Sequence, residues 1–381
     1  MVTVPVIRLE NLTKTFRVAA HRRGLLGALR SLVDREHRVV RAVDGISLAI
    51  EPGELVGYLG PNGAGKSTTI KMLTGILVPT SGLVEVAGFV PWRDRVRYVR
   101  RIGVVFGQRT NLWWDLPVVE SFELLRHIYR VPAPRFAANL ARFEALLGLR
   151  EFQQTPVRQL SLGQRMRADL AAALLHDPEI VFLDEPTIGL DVVAKERIRG
   201  FIREINRERG VTIILTTHDL GDVEKLCRRV ILIADGHLMF DGALADLHAQ
   251  YGDERELVLD LAAGDGEGST GRLVVDVDGS AGSPTDAELA VPGAILVRRE
   301  GLRVSYRFRR SETSASELIG RVAERFRIVD LTVREPDIEA TVRRIYEERG
   351  VAKGGPLAVS DTHDVDDPAA MEEASGHSRK G

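Results

Sequence analysis

The run Gly60-Pro61-Asn62-Gly63-Ala64-Gly65-Lys66-Ser67 sets glycines, a lysine and a hydroxyl between a strand-like apolar stretch at 55–59 and a helix-like stretch at 67–73. Glycines let the backbone turn tightly, so that successive N–H groups point inward, and the start of a helix adds positive potential. The pattern predicts a cradle for nucleotide phosphates. Lys66 would neutralise the β- and γ-phosphates, and the Ser67 hydroxyl would ligate magnesium. The plainer reading is a Gly-rich strand-to-helix turn with an incidental lysine; the strand–loop–helix context weighs towards phosphate.

A second set of chemistry-bearing residues follows apolar runs. The run 180–183 stops abruptly at Asp184-Glu185, which puts two acids at the carboxyl end of a buried strand, the edge where open parallel sheets bind ligands. Asp184 is suited to hold magnesium, directly or through water, and Glu185 to orient or deprotonate an attacking water. Alone, the pair could equally cap the turn at Pro186. His218 follows the apolar strand 211–215 to the same edge, within reach of a γ-phosphate, although a lone histidine after a strand is more often structural. Gln108 follows the strand 102–106, where its amide could bridge metal and water. Ser161 with Gln164 three residues on reads as a capping box, which a plain helix start would explain. The same N-terminus is also an anion site, with Ser161 and Gly163 where a phosphate must approach closely.

Positioning these groups requires a frame. From Lys66 to Ala234, strand-like runs at 102–106, 180–183, 211–215 and 230–233 alternate with helix-like runs at 117–129, 135–147, 161–175 and 192–209. Such alternation predicts an α/β architecture with a largely parallel sheet, closed by a hairpin at Asp235-Gly236. Residues 108–160 read as a helical insertion. Strand-like stretches at 6–9 and 46–50 flank an Arg- and His-rich interruption at 20–38, whose leucines fall at helical spacing. That interruption is either a solvated surface insertion or a basic amphipathic helix that meets a membrane partner or anionic lipid. Beyond about 250 the texture changes to strands at 256–261, 272–277, 294–299, 304–308 and 328–333, with helices at 314–326 and 336–348, which suggests a separate α+β domain. From about 351 the composition predicts a disordered acidic tail.

The chain has 381 residues, 44% hydrophobic and 28% charged, with a formal net charge of −2, so it is expected to be globular with no global electrostatic preference for nucleic acid. Cys227 is its one cysteine, which excludes an internal disulfide framework and a Cys-rich metal site. No apolar run approaches the roughly 18 to 20 residues that span a bilayer, and the N-terminus lacks a signal-peptide core. Work at a membrane would therefore go through another protein.

Over roughly residues 5–250 these motifs, in this order, resemble the ATP-binding subunit of an ABC transporter. Gly60 to Ser67 with Thr68 match its Walker A loop, Gln108 its Q-loop and Ser161 to Gln164 its signature motif. Asp184 and Glu185 match the Walker B end, Gly189-Leu190-Asp191 the D-loop and His218 the switch histidine. The resemblance implies a P-loop ATPase of residues 1–250 with a helical subdomain at about 108–175, followed by the accessory domain at 251–350. It implies ATP and Mg2+ as ligands, Phe16 stacking on adenine where the family usually has tyrosine, Gln164 and Asp191 at the nucleotide, and a sandwich of two subunits in which Ser161 and Gly163 act in trans. The second subunit would be another copy or a sister ATPase. Hydrolysis would drive a transmembrane permease from the cytoplasmic face of the membrane, and the look of the chain is nearest to the branch that exports drugs, antibiotics, lipids or polysaccharides. Leu162 departs from the family's usual second glycine. Trp113 and Trp114 fall where family members receive the permease's coupling helix, yet could instead be core. Two other classes compete: a soluble ABC ATPase of translation or DNA repair, and a non-catalytic nucleotide sensor, against which Glu185 argues.

Overall fold

The computed structural model describes residues 4–19, 37–107, 109–217, 219–251, 254–262 and 289–334, together with 342, 345 and 346. The strands are β1 (Ile7–Ala19), β2 (His37–Ile50), β3 (Leu55–Leu59), β4 (Ser81–Val86), β5 (Ile102–Phe106), β6 (Ile180–Asp184), β7 (Thr212–Thr216), β8 (Arg229–Ala234) and β9 (His237–Ala243). Between them run helices α1 (Lys66–Leu73), α2 (Arg95–Tyr98), α3 (Val118–Tyr129), α4 (Ala133–Leu147), α5 (Leu162–Leu174), α6 (Val192–Arg209) and α7 (Leu220–Leu226).

Six strands form one sheet in the order β5-β6-β7-β3-β8-β9, parallel throughout except for the antiparallel β8–β9 hairpin. The parallel strands are near-continuous runs of β-branched and aromatic residues because both faces are covered by other elements. In β6, Ile180, Val181, Phe182 and Leu183 are all buried, and each such side chain contributes about 1.5–3 kcal/mol on leaving water. Register decides the function of this sheet. Phe106 lies opposite Asp184, Asp184 opposite Thr216, and Thr216 opposite Tyr58, so four strands end in line at one edge. The loops that leave that edge start at 60, 107, 185 and 217.

Two features exceed the expectation from sequence. The stretches 6–9 and 46–50 are ends of the much longer β1 and β2, which pair with β4 in a separate antiparallel sheet, order β2-β1-β4. Strand β4 leaves little trace in the sequence because its first three residues are exposed and include Gly82, which breaks the apolar alternation. Of the interruption at 20–38, only its last two residues are described, and they belong to β2; the remainder lies outside the described residues.

After α8 (Leu244–Tyr251), strands β10 (Glu254–Leu261), β11 (Ala294–Glu300), β12 (Arg303–Arg309) and β13 (Ile328–Arg334) make an antiparallel sheet in the order β11-β12-β10-β13, packed on α9 (Ala315–Ala323) around its own apolar cluster. Val342, Ile345 and Tyr346 instead pack into the cluster built by α3 to α7. The expected strand at 272–277, most of the helix at 336–348 and the tail from 351 lie outside the described residues. Among the described residues, no helix is long and apolar enough to cross a membrane.

Candidate functional site

The loop after β3 is built around Gly65, whose φ of 102° is open to glycine and strained for other residues. A Cβ at this position would run into the carbonyl oxygen of Ala42 on β2, so the two sheets meet under the loop. Helix α1 starts at the next residue with no side-chain cap and no acid in its first turn, which leaves its first N–H groups free to receive an anion. Lys66 is 9% exposed, and its Nζ donates to the carbonyl oxygens of Gly60 at 2.5 Å and Pro61 at 3.1 Å. Burial lowers the pKa of its ammonium, while Glu185 and then Asp184 pull it back up. The fold therefore brings Lys66 within electrostatic reach of both acids. Asn62, Gly63 and Ser67 are exposed, Pro61 and Thr68 half-buried, and Ala64 buried.

At the end of β6, Asp184 Oδ1 accepts from Thr216 Oγ1 at 2.5 Å, so this carboxylate is engaged across the sheet with β7. Its backbone oxygen accepts from Gly107 N at 2.7 Å, and Glu185 N donates to Thr216 O at 2.9 Å. Glu185 sits at φ 56°, a left-handed conformation that costs a non-glycine residue on the order of 1 kcal/mol and persists where surrounding structure enforces it. A Cβ on Gly107 would come 2.6 Å from Glu185 O and 2.8 Å from Asp184 O, which fixes how closely the turn after β5 approaches the acids. Gln108 and His218 lie outside the described residues. Their neighbours are placed: Arg109 N donates to Phe106 O at 3.0 Å, Asp219 N to Thr217 Oγ1 at 3.0 Å, and Lys195 Nζ to Asp219 Oδ2 at 2.5 Å.

Ser161 is the N-cap of α5, and both bonds of the capping box are present: Gln164 N donates to Ser161 Oγ at 3.2 Å and Ser161 N to Gln164 Oε1 at 2.9 Å. Ser161 is exposed all the same. Leu162 is the first helical residue, a conformation that its β-carbon tolerates, and its side chain packs against Gly189. Gly163 lies near Leu190 and Ala194, and Asp191 caps α6 by accepting from Ala194 N at 2.8 Å. The start of α5 and the 189–191 turn thus pack together. No hydrogen bond or ion pair among the described residues joins Ser161, Gly163 or Gln164 to the Gly60–Ser67 loop. Phe16 stands half-exposed on β1 opposite Val40, with Lys14 Nζ 5.3 Å from its ring centre.

Two features had no signal in the sequence, the buried pairing of Asp222 and that of Asp169. Arg199 Nε donates to Asp222 Oδ1 at 2.6 Å, both side chains are buried, and Thr187 Oγ1 donates to the other oxygen of Asp222. Breaking a buried pair of this kind costs about 3–5 kcal/mol, and here it ties the turn after Glu185 to the helix after position 218. Trp113 and Trp114 are 39% and 50% exposed, which overturns the core alternative. Asp169, on α5, is 3% exposed and accepts from Thr110 Oγ1 at 2.8 Å and Asn111 N at 2.9 Å.

Burial pushes the Asp169 carboxyl from an ordinary 3.8 up to about 6, against the pull of those two donors and of Arg165. The folded chain then holds this proton more tightly than the unfolded one. Stability from this group is greatest below about pH 4, falls as pH rises to about 6 and is level above it, a difference on the order of 2–3 kcal/mol. Asp169→Asn removes the dependence. Its thermal midpoint relative to the parent chain is expected to rise between about pH 4.5 and 7; an offset constant across that range would contradict the burial argument.

The family model described as ABC transporter matches residues 43–188. The chain is 36% identical over 211 residues to the ABC transporter ATP-binding protein NatA of Bacillus subtilis, covering 55% of this chain and 85% of that one. It is 29% identical over 298 residues to the linearmycin resistance ATP-binding protein LnrL of the same organism, covering 78% and 91%. It is 38% identical over 216 residues to the Nod factor export ATP-binding protein I of Burkholderia pseudomallei, covering 55% and 69%. Among solved structures, the dimeric post-hydrolysis state of the ATP-binding cassette MJ0796 bound to ADP and Pi superposes with a TM-score of 0.52 at 28% identity, over 62% of this chain and 98% of that one.

Proposed function

This chain belongs to the ABC transporter family as an ATP-binding subunit that hydrolyses ATP, and from that premise we propose that two copies, or one copy and a sister subunit, close on ATP to drive a transmembrane permease. Gly60, Pro61, Asn62, Gly63, Ala64, Gly65, Lys66, Ser67 and Thr68 hold the phosphates, and Phe16 stacks on adenine. Glu185 activates water, with Gln108 and His218 as its companions at the γ-phosphate. Ser161, Gly163, Gln164 and Asp191 of one copy complete the site of the other. The reading is carried by the in-line ends of β3, β5, β6 and β7, with Lys66 in reach of Glu185 and Asp184. Magnesium takes few protein oxygens and keeps phosphate and water in its shell. Ser67 and Asp184 supply hard oxygens of that kind and Gln108 an amide, so the donor set fits, and the ion when bound would neutralise phosphate charge.

The relatives in linearmycin resistance and Nod factor export support export of a drug, antibiotic, lipid or polysaccharide. A soluble ATPase of translation or DNA repair is not favoured, since the matched relatives are transporter subunits. We place the chain at the cytoplasmic face of the membrane, with an ATPase domain to about 250 and an accessory domain at 251–350, of which Val342, Ile345 and Tyr346 return to the ATPase core. The exposed Trp113 and Trp114 form the permease contact, because bulky aromatics at a surface are enriched at interface hot spots. Trp113→Ala with Trp114→Ala is expected to lower ATP-driven uptake into inside-out vesicles carrying chain and permease by about tenfold or more, with a far smaller loss in the ATPase rate of the detached chain. Uptake at the parental rate would remove the permease assignment.

A further inference from the structure

Arg165 and Asp169 stand one turn apart on one face of α5, and both grip the same passing segment. The Arg165 guanidinium lies 5.8 Å from the Trp114 ring centre, and Asp169 accepts from Thr110 Oγ1 and Asn111 N. The segment is braced further, because Leu112 N donates to Thr110 Oγ1 at 3.1 Å and Asn111 Nδ2 to Val104 O on β5 at 2.7 Å. A carboxylate buried to this degree is a poor way to gain stability, since apolar replacements of such groups are often neutral or better. What it supplies is a directional joint.

That joint has a particular place. Residues 110–114 run from two positions after Gln108 to the exposed tryptophans, and α5 is capped by Ser161, about 12 Å along its axis from Asp169. We infer, resting on the function proposed above, that Asp169 is a positioning residue: it fastens segment 110–114 to the signature helix, so that a push on Trp113 and Trp114 displaces Ser161 and closure over ATP displaces the tryptophans. The two ends are reciprocal because one coupling free energy serves both directions.

The tryptophans are their own reporters once Trp92, the remaining one, is replaced by Phe. In the full chain carrying Glu185→Gln and Trp92→Phe, ATP with magnesium is expected to change tryptophan emission. Asp169→Ala should remove most of that change while ATP affinity stays within about threefold. Asp169→Asn keeps an acceptor oxygen for both donors and should preserve it. On the Glu185 background, Asp169→Ala should lower kcat about tenfold with KM for ATP within about threefold, the pattern of a group that acts after binding. If Asp169→Ala fails to fold, Thr110→Val removes one of the two donors and is expected to reduce the emission change in the same direction. An emission change equal in Asp169→Ala and parent, a parent that does not respond to bound ATP, or an Asn variant as damaged as the Ala variant would each overturn the inference. Loss of ATP binding in the Glu185→Gln parent would instead strike at the proposed function.

Discussion

Glu185→Gln is expected to lower the steady-state ATPase rate of the full chain by at least about 100-fold, the usual worth of a positioned general base, with KM for ATP little changed. The amide has the shape of the carboxylate, so the left-handed backbone at Glu185 and the bond from its N–H to Thr216 O survive the exchange. Only the ability to take a proton from water is lost. ATP should then be bound and kept, and the chain should elute as a dimer in ATP that reverts to monomer in ADP. Phosphate release measured on both proteins decides the matter, and an unchanged rate would exclude Glu185 as the base.

The second large effect concerns Ser161, whose observed job as helix cap and proposed job as a phosphate donor can be separated by substitution. Ser161→Ala removes the N-cap, worth about 1 kcal/mol, and removes the hydroxyl offered to phosphate, so a fall in rate alone would be ambiguous. Ser161→Asp keeps a preferred N-cap but sets a negative charge where the phosphate must come. Its thermal midpoint should stay near the parent's while its ATPase rate falls at least about 100-fold. Lys66→Met should be comparably inactive, because the ammonium held beneath the loop is lost. Mixed in equal amounts, Ser161→Asp and Lys66→Met chains should recover up to about a quarter of the parental rate. Random pairing makes half of the dimers mixed, each with one intact composite site. No recovery would mean that each chain completes its own site.

Much of the fold follows from local pattern. The buried strands β3, β5, β6 and β8 stand out as apolar runs because both of their faces are covered, and α6 spans the residues 192–209 that read as helical in the sequence. The antiparallel sheet of β1, β2 and β4 was harder to see, since half-exposed strands alternate weakly and β1 changes register more than once. For the site, each chemical group was legible beside the strand or helix that carries it, and Ser161 with Gln164 forms the capping box that their spacing predicts.

Local sequence specifies the parts: a Gly-rich loop that only a tight turn can use, acids at the end of an apolar strand, and a capped helix start. These are local because backbone dihedral preference, side-chain periodicity and end-capping act within a few residues. Tertiary structure alone decided their meeting. The strand order β5-β6-β7-β3-β8-β9 puts Lys66 under the field of Asp184 and Glu185, with Thr216 on Asp184. It also seats Asp222 on Arg199 and Asp169 on Thr110 and Asn111. Such pairings join distant stretches of chain, and they hold because packing removes the groups from water together, where an unpartnered charge would cost more than the whole pair.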